Sequence, residues 1–202
     1  MKNFSLFLLV ATLSIVTINA QSDKGDFTIA PQIGLNLSTF APSDTDFSYN
    51  SRTSFAGGAI TEYYFNDRWS LRSGLLFDPM GAEDGAGNID KLNYLTLPIN
   101  ANWHFGKNRN WYLNFGPAIG FLLNAETELG EGGTIDISEV VPGTDVGLMF
   151  GIGYKFDINE KVQLFIDFQG YGGFIDIDES DVLPFQIRNS RSAFNVGVVI
   201  TP

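Results

Sequence analysis

The eleven residues Phe27–Leu37, FTIAPQIGLNL, alternate between apolar side chains and small or polar ones. Successive residues of a β-strand point to opposite faces, so an alternating stretch predicts a strand with one apolar face. The residues on the apolar face are Phe27, Ile29, Ile33, Leu35 and Leu37. The segment therefore predicts a β-strand rather than a helix.

The same alternation recurs in seven further segments. They are Phe55–Phe65, Trp69–Phe77, Leu95–Trp103, Trp111–Leu123, Val146–Phe156, Val162–Phe168 and Phe194–Ile200. The links between these segments contain turn residues and show no helical pattern. The sequence thus predicts an all-β fold, an eight-stranded antiparallel up-and-down β-barrel. Alternation alone does not say which face points inward.

Residues 1–20 resemble an export signal and are set apart from the fold. Lys2 supplies a positive start, Phe4–Ile18 an apolar core, and Ala20 a small residue at the exit. This order predicts a secretory signal peptide that is cleaved after Ala20, which leaves 21–202 as one barrel domain. An N-terminal membrane anchor is the alternative, but this 15-residue segment is shorter than the ~20 residues of a spanning helix.

Composition excludes several classes of protein. The chain has 202 residues, no Cys and a formal net charge of -11. Without Cys there is no disulfide framework, no thiolate zinc site and no cysteine nucleophile. An acidic chain lacks the basic surface that nucleic acids require. We accordingly expect no nucleic-acid partner, and no residue pattern indicates a metal or a cofactor.

The polar faces of the strands carry few charges: Glu62, Arg72, Asp78, Lys155 and Asp167. A water-facing exterior is normally more charged, whereas small and sparsely polar residues suit a narrow lumen. The apolar faces are therefore predicted to contact outer-membrane lipid, which makes the predicted fold an eight-stranded antiparallel up-and-down transmembrane β-barrel. The alternative is a soluble exported lipocalin-like barrel, whose apolar faces would enclose an apolar ligand.

Connection lengths alternate along the chain. Three predicted links are tight, at 66–68, 106–110 and 157–161, and the four between them are long, at 42–51, 80–92, 126–143 and 175–189. Short turns at one end and long loops at the other are typical of outer-membrane barrels, whose turns face the periplasm.

All three Trp residues flank tight turns on the apolar faces. Together with two Phe residues they form a predicted periplasmic aromatic girdle: Phe65, Trp69, Trp103, Trp111 and Phe156. Aromatic rings are enriched where lipid headgroups meet hydrocarbon. Their placement supports the membrane interpretation over the soluble one.

Three short motifs resemble a known family. Tyr94–Pro98 is YLTLP, Gly116–Gly120 is GPAIG and Gly151–Tyr154 is GIGY, and in this order they are similar to the small outer-membrane β-barrel-domain family that includes PorT-like proteins. The resemblance implies an outer-membrane location and an accessory role in protein secretion or surface display. Family members usually end on an aromatic residue that the barrel-insertion machinery recognises, so the resemblance also implies this machinery as a partner. This chain departs from that pattern, because its last residues are Ile200–Pro202.

Inside the predicted lumen, a turn centred on Asp67 places Glu62 across from Arg72, which predicts a lumenal ion pair. The simplest interpretation of this pair is structural, with the two side chains filling the lumen and fixing the strand register. His104 is the single histidine. It is predicted at the periplasmic rim, and no catalytic partner is evident, so no catalytic residue is assigned and the protein is not expected to be an enzyme.

The long links hold 14 acids and two bases. One acidic outer loop, formed by Asp176, Asp178, Glu179 and Asp181, starts like a calcium loop but lacks its Gly at position six and its Glu at position twelve. A solvated acidic loop is favoured. The function expected is structural or a surface interaction, with a minor solute-specific channel and an enzyme using His104 as further alternatives.

Overall fold

The computed structural model describes residues 24–44, 46–178 and 184–202. The predicted signal peptide 1–20 lies outside these residues. Within them there are nine strands: β1 (Phe27–Pro42), β2 (Asn50–Tyr64), β3 (Trp69–Glu83), β4 (Ile89–Phe105), β5 (Trp111–Glu128), β6 (Thr134–Asp136), β7 (Thr144–Asn159), β8 (Val162–Gly173) and β9 (Ile187–Ile200).

Eight of these strands form a closed antiparallel barrel. Each long strand pairs with its neighbour in sequence, β5 pairs with β7 across the insertion that holds β6, and β1 pairs with β9 to complete the ring. The three-residue strand β6 lies outside the ring against the end of β5. The predicted eight-stranded up-and-down barrel is confirmed, and β6 was too short to be predicted.

The apolar faces of the strands point outward. Ile33 is 68 % exposed and Phe150 is 64 % exposed, whereas Thr28 and Asn36 on the opposite face are buried. This orientation is the reverse of a soluble barrel, so the lipocalin-like alternative is wrong. Across the described ranges, no helix has the length and apolar character needed to cross a membrane.

The two ends of the barrel differ. At the turn end, the connections after β2, β4 and β7 are short; at the loop end lie those after β1, β3, β5 and β8. The predicted link 80–92 is mostly strand, because β3 continues to Glu83 and β4 begins at Ile89. These extensions carry polar outward side chains, such as Lys91 beside Glu126 and Glu128, so apolar alternation did not reveal them.

Pro31 and Gly81 each affect how neighbouring strands of the wall pair. The ladder between β1 and β9 passes from Ile29–Ile200 to Gln32–Gly197 without a pair at Pro31, which has no N–H to donate. Gly81 has φ +136, and a Cβ at that position would lie 1.9 Å from the carbonyl oxygen of Asp90. Gly81 thus lets β3 and β4 pair closely at the loop end.

Candidate functional site

The lumen of the barrel is the candidate site, and its layer nearest the turn end is centred on Glu62. One oxygen of this carboxylate, Oε1, accepts hydrogen bonds from Ser70, Asn102 and His104. The other, Oε2, lies 2.8 Å from Nζ of Lys155. All of these side chains are buried, so the carboxylate is held by a cation and three donors away from water.

Lys155 has a second partner that fixes its position. Its Nζ donates to the hydroxyl of Tyr64 at 2.6 Å and lies 5.3 Å from the centre of that ring. Lys155 is on β7 and Glu62 on β2, so the ion pair crosses the lumen. The layer ties opposite walls of the barrel together.

A second ion pair forms the next layer. Nη2 of Arg72 lies 3.0 Å from Oδ2 of Asp167, and its guanidinium stands 5.3 Å from the centre of the Tyr112 ring. Asp167 also accepts hydrogen bonds from Tyr112 and Asn195. A buried ion pair is tolerated when donors satisfy the remaining carboxylate lone pairs, and these contacts do so.

The predicted ion pair between Glu62 and Arg72 is replaced by these two pairs. The Cα atoms of Glu62 and Arg72 face each other between β2 and β3. Each side chain reaches a partner across the lumen instead, Glu62 to Lys155 and Arg72 to Asp167. Strand register gives wall neighbours, whereas contacts across the lumen depend on the curvature of the closed barrel, which register does not report.

A third polar layer lies toward the loop end. Nε of Arg191 is 3.2 Å from Oδ1 of Asp78, and the same oxygen accepts from Asn36 Nδ2 at 2.7 Å. Beside this pair, Asn189 Nδ2 donates to Oδ2 of Asp145 at 2.8 Å. Each of the three layers therefore contains one cation paired with one anion from another strand: Lys155 with Glu62, Arg72 with Asp167, and Arg191 with Asp78.

Above the third polar layer, the loop end of the lumen is apolar. Buried side chains from seven strands and from the loops form one cluster there, including Phe40, Met80, Leu92, Val141, Ile177 and Ile187. Apolar contact between these groups favours the packed arrangement because it removes their surface from water. The lumen is thus crossed by polar layers and then by an apolar one.

His104 lies inside the barrel, at its turn end. It is 2 % exposed, and its wall partner is Tyr112, two residues from Asn110. Trp103 occupies the outward position, so the next residue points into the lumen. His104 is therefore close to the turn end, as predicted, but it is buried in the lumen and is not exposed at the rim.

The contacts of His104 do not form a nucleophile–base–acid relay. Ser70 Oγ at 3.1 Å and Glu62 Oε1 at 2.7 Å both approach the same ring nitrogen, Nε2. A relay needs the acid on one nitrogen and the nucleophile on the other. With its proton on Nε2 the ring donates to Glu62, and it then has no lone pair there to accept the Ser70 proton.

The predicted girdle residues lie on the outside of the barrel at the turn end. Trp103 stacks on Phe105 with ring centres 5.1 Å apart, and Trp111 meets Tyr154 at 4.9 Å. Trp69 faces Trp103 at 6.4 Å. Phe65 and Phe156 are half exposed on the same band, beside Tyr63 and Tyr154. Phe105 and the tyrosines extend the band beyond the residues chosen from the sequence.

Of the predicted acidic outer loop, Asp176 and Asp178 are described, while Glu179 and Asp181 lie outside the described residues. Oδ1 of Asp176 accepts the backbone N–H of Ile187 at 3.0 Å, which joins the two sides of the loop. In the parts of the chain that the structure describes, no three His, Cys, Asp or Glu side chains gather as metal ligands would.

Sequence reasoning missed Tyr112, Asp145 and Arg191 as lumenal residues. Each lies an odd number of positions from an outward apolar residue, which places it on the inner face. The alternation of inward and outward side chains along each strand was therefore the signal that could have identified them. It was not applied near the strand ends, where Asp145 and Arg191 were close to predicted loops.

A closed barrel with an outward apolar band, an aromatic belt and a polar lumen defines an outer-membrane β-barrel protein. The sequence profile of the outer membrane protein beta-barrel domain matches residues 19–179, and the chain belongs to this family. No curated protein matches the chain.

Two solved structures are similar in fold. Neisserial surface protein A is 15 % identical with a TM-score of 0.56, and the match covers 87 % of this chain and 97 % of that one. The outer membrane protein OprG from Pseudomonas aeruginosa is 11 % identical with a TM-score of 0.50, covering 90 % of this chain and 98 % of that one. At these identities the likeness concerns the fold alone.

Proposed function

We propose that the protein is a non-enzymatic outer-membrane barrel that has a structural or surface-interaction role and does not conduct solutes. The observation that carries this proposal is the occupied lumen. Ion pairs cross it at Glu62–Lys155, Arg72–Asp167 and Asp78–Arg191, and an apolar layer follows. An eight-stranded barrel is just wide enough for its side chains to fill, so these layers support a closed interior.

Conductance across planar lipid bilayers tests the closed lumen. Purified, refolded protein is expected to give no current steps above those of a bilayer treated with the same detergent alone. Reproducible steps would contradict the proposal and favour the alternative of a minor solute-specific channel. A porin that conducts, refolded and added to the same bilayers, provides the positive comparison, because it shows that an open barrel would have been detected.

The proposed orientation places the turns in the periplasm and the loops outside the cell. The aromatic belt at the turn end and the difference in connection length support it. Because the chain has no Cys, single cysteines report topology directly. Gly132→Cys, in a loop, is expected to react with an impermeant maleimide on intact cells. Glu160→Cys, in a turn, is expected to react only after the outer membrane is opened.

The resemblance to PorT-like proteins supports a narrower proposal, an accessory role in protein secretion or surface display. Assembly would pass through the barrel-insertion machinery. Deleting the gene is expected to lower the amounts of exported surface proteins, and the wild-type gene should restore them. Normal secretion in the deletion strain would remove the secretion role and leave the structural or surface role in place.

A further inference from the structure

The apolar layer at the loop end leaves a cavity of about 320 Å³ at the mouth of the barrel. Strand residues Phe40, Leu92 and Ile187 line it together with Val141 and Ile177 from the loops. Small-molecule sites occupy roughly 300–1,000 Å³, so the cavity has the size of a site for a small ligand.

The cavity differs from the lipid-facing surface in its surroundings. Its walls belong to the inner face of the barrel mouth, where water rather than hydrocarbon is the neighbouring medium. Val141 is 7 % exposed, but the adjacent Val140, which also lines the cavity, is 40 % exposed. The free energy falls when an apolar group covers apolar surface that is in contact with water. This position therefore favours an apolar ligand.

The charged side chains that line the cavity have one sign. They are Asp90 and Asp178, and the described residues of the lining include no Lys, Arg or His. Two bases are adjacent in sequence to lining residues. Lys91 is paired with Glu126 and Glu128, and Arg188 donates to the side-chain oxygen of Gln186 at 2.6 Å. One oxygen of Asp90 accepts the hydroxyl of Thr127 at 2.6 Å, which orients its carboxylate. Apolar walls of low dielectric strengthen the attraction between these carboxylates and a cation.

We propose that this cavity binds a small cationic amphiphile, with the apolar part against Phe40, Leu92 and Ile187 and the ammonium group beside Asp90 and Asp178. The inference rests on the proposed surface-interaction role and gives that role a ligand chemistry. An anionic amphiphile of the same shape meets two like charges, and a neutral one loses the electrostatic attraction.

Titration of the mature chain in phosphatidylcholine nanodiscs tests the proposal, with methyl NMR of Val, Ile and Leu as the readout. The probes are hexylammonium, hexanol and hexanoate, which share a tail and differ in charge. Empty nanodiscs give the partition of each probe into lipid. Hexylammonium is expected to shift the methyls of Val141, Ile177 and Ile187 saturably, and to bind about threefold to fivefold more tightly than hexanol.

Two variants separate charge from shape. Asp90→Asn keeps the side-chain volume and is expected to weaken the binding of hexylammonium but not of hexanol, and the double variant Asp90→Asn, Asp178→Asn is expected to bring hexylammonium to the affinity of hexanol. Glu131→Gln removes an exposed loop acid outside the cavity and is expected to change neither affinity. The heat-dependent gel mobility of each variant shows that it is folded.

Two results would overturn the proposal. The absence of saturable shifts with all three probes excludes the site, and equal affinities for the three probes exclude its selection for cations. Neither result affects the surface-interaction role, which is contradicted instead by conductance in bilayers. The two proposals therefore fail in different experiments.

Discussion

Among single residues, Lys155 carries the cross-lumen contact with Glu62 on which the turn-end layer depends. Replacing Lys155 with Met leaves a buried carboxylate without its cation, a change that typically costs about 3–5 kcal/mol. We expect the free energy of unfolding, measured by urea titration in lipid, to fall by that amount. The double variant Glu62→Gln, Lys155→Met should recover part of the loss, because no unpaired charge remains.

Lys91 supplies the matched control for that variant. It pairs with Glu126 and Glu128, but its side chain is partly exposed at the loop end. Exposed ion pairs contribute about 0–1 kcal/mol, so Lys91→Met should have little effect. Equal losses in the two lysine variants would show that the lumenal pair is no stronger than a surface pair.

Residue chemistry also explains what the sequence could and could not predict about the site. The inward positions of Glu62, Arg72 and Lys155 follow from alternation along each strand. Their partners do not, because Lys155 and Glu62 are 93 residues apart and meet only once the ring has closed. Strand pattern thus predicts which charges enter the lumen, and barrel closure decides how they pair.

Among the elements, the β3–β4 hairpin contains two glycines with positive φ in different surroundings. A Cβ on Gly81 would overlap the carbonyl oxygen of Asp90, whereas a Cβ on Gly87 meets nothing within 4 Å. Gly87→Ala should therefore cost about 1–2 kcal/mol for its backbone conformation alone. Gly81→Ala should cost clearly more, since strand separation is added. Equal unfolding free energies for the two variants would contradict this account.

The same hairpin predicts a pH dependence in its connection. Hydrogen bonds from the side chain and backbone of Asn88, and from the backbone of Ala86, hold the pKa of Asp84 below the ordinary 3.8. The ionised form therefore stabilises the turn above pH 3.8, and this contribution is lost as the pH falls through the lower folded pKa. Carboxyl ¹³C NMR should show this low midpoint.

Asn88→Ala is the test of cause for the Asp84 titration. The substitution removes the side-chain donor, so the pKa of Asp84 should move back toward 3.8 while the backbone donors keep part of the shift. A midpoint unchanged by the substitution would assign the shift to the backbone alone.

For the whole molecule, the closed hydrogen-bonded ring predicts resistance to detergent. Unboiled protein in SDS is expected to migrate faster than boiled protein, because the intact barrel is compact and the boiled chain is extended. The band should be recovered with the outer membrane, and N-terminal sequencing should begin at Gln21 if cleavage follows Ala20. Recovery as a water-soluble protein with one mobility would contradict the membrane assignment.

At this scale the sequence predicted the strand number, the closure and the outward apolar face. It underestimated strand length at the loop end, as between Gly81 and Lys91, where both faces are polar or packed by loops. Outward side chains need to be apolar only where they contact lipid. The alternating pattern therefore stops at the membrane boundary, although the hydrogen-bonded strands continue beyond it into water.

The aromatic belt gives the protein an optical asymmetry. Its three tryptophans, Trp69, Trp103 and Trp111, all lie on the outer surface at the turn end, and the loop end has none. Intrinsic fluorescence therefore reports on a single leaflet. Brominated lipids confined to that leaflet should quench the emission, and those confined to the opposite leaflet should leave it nearly unchanged.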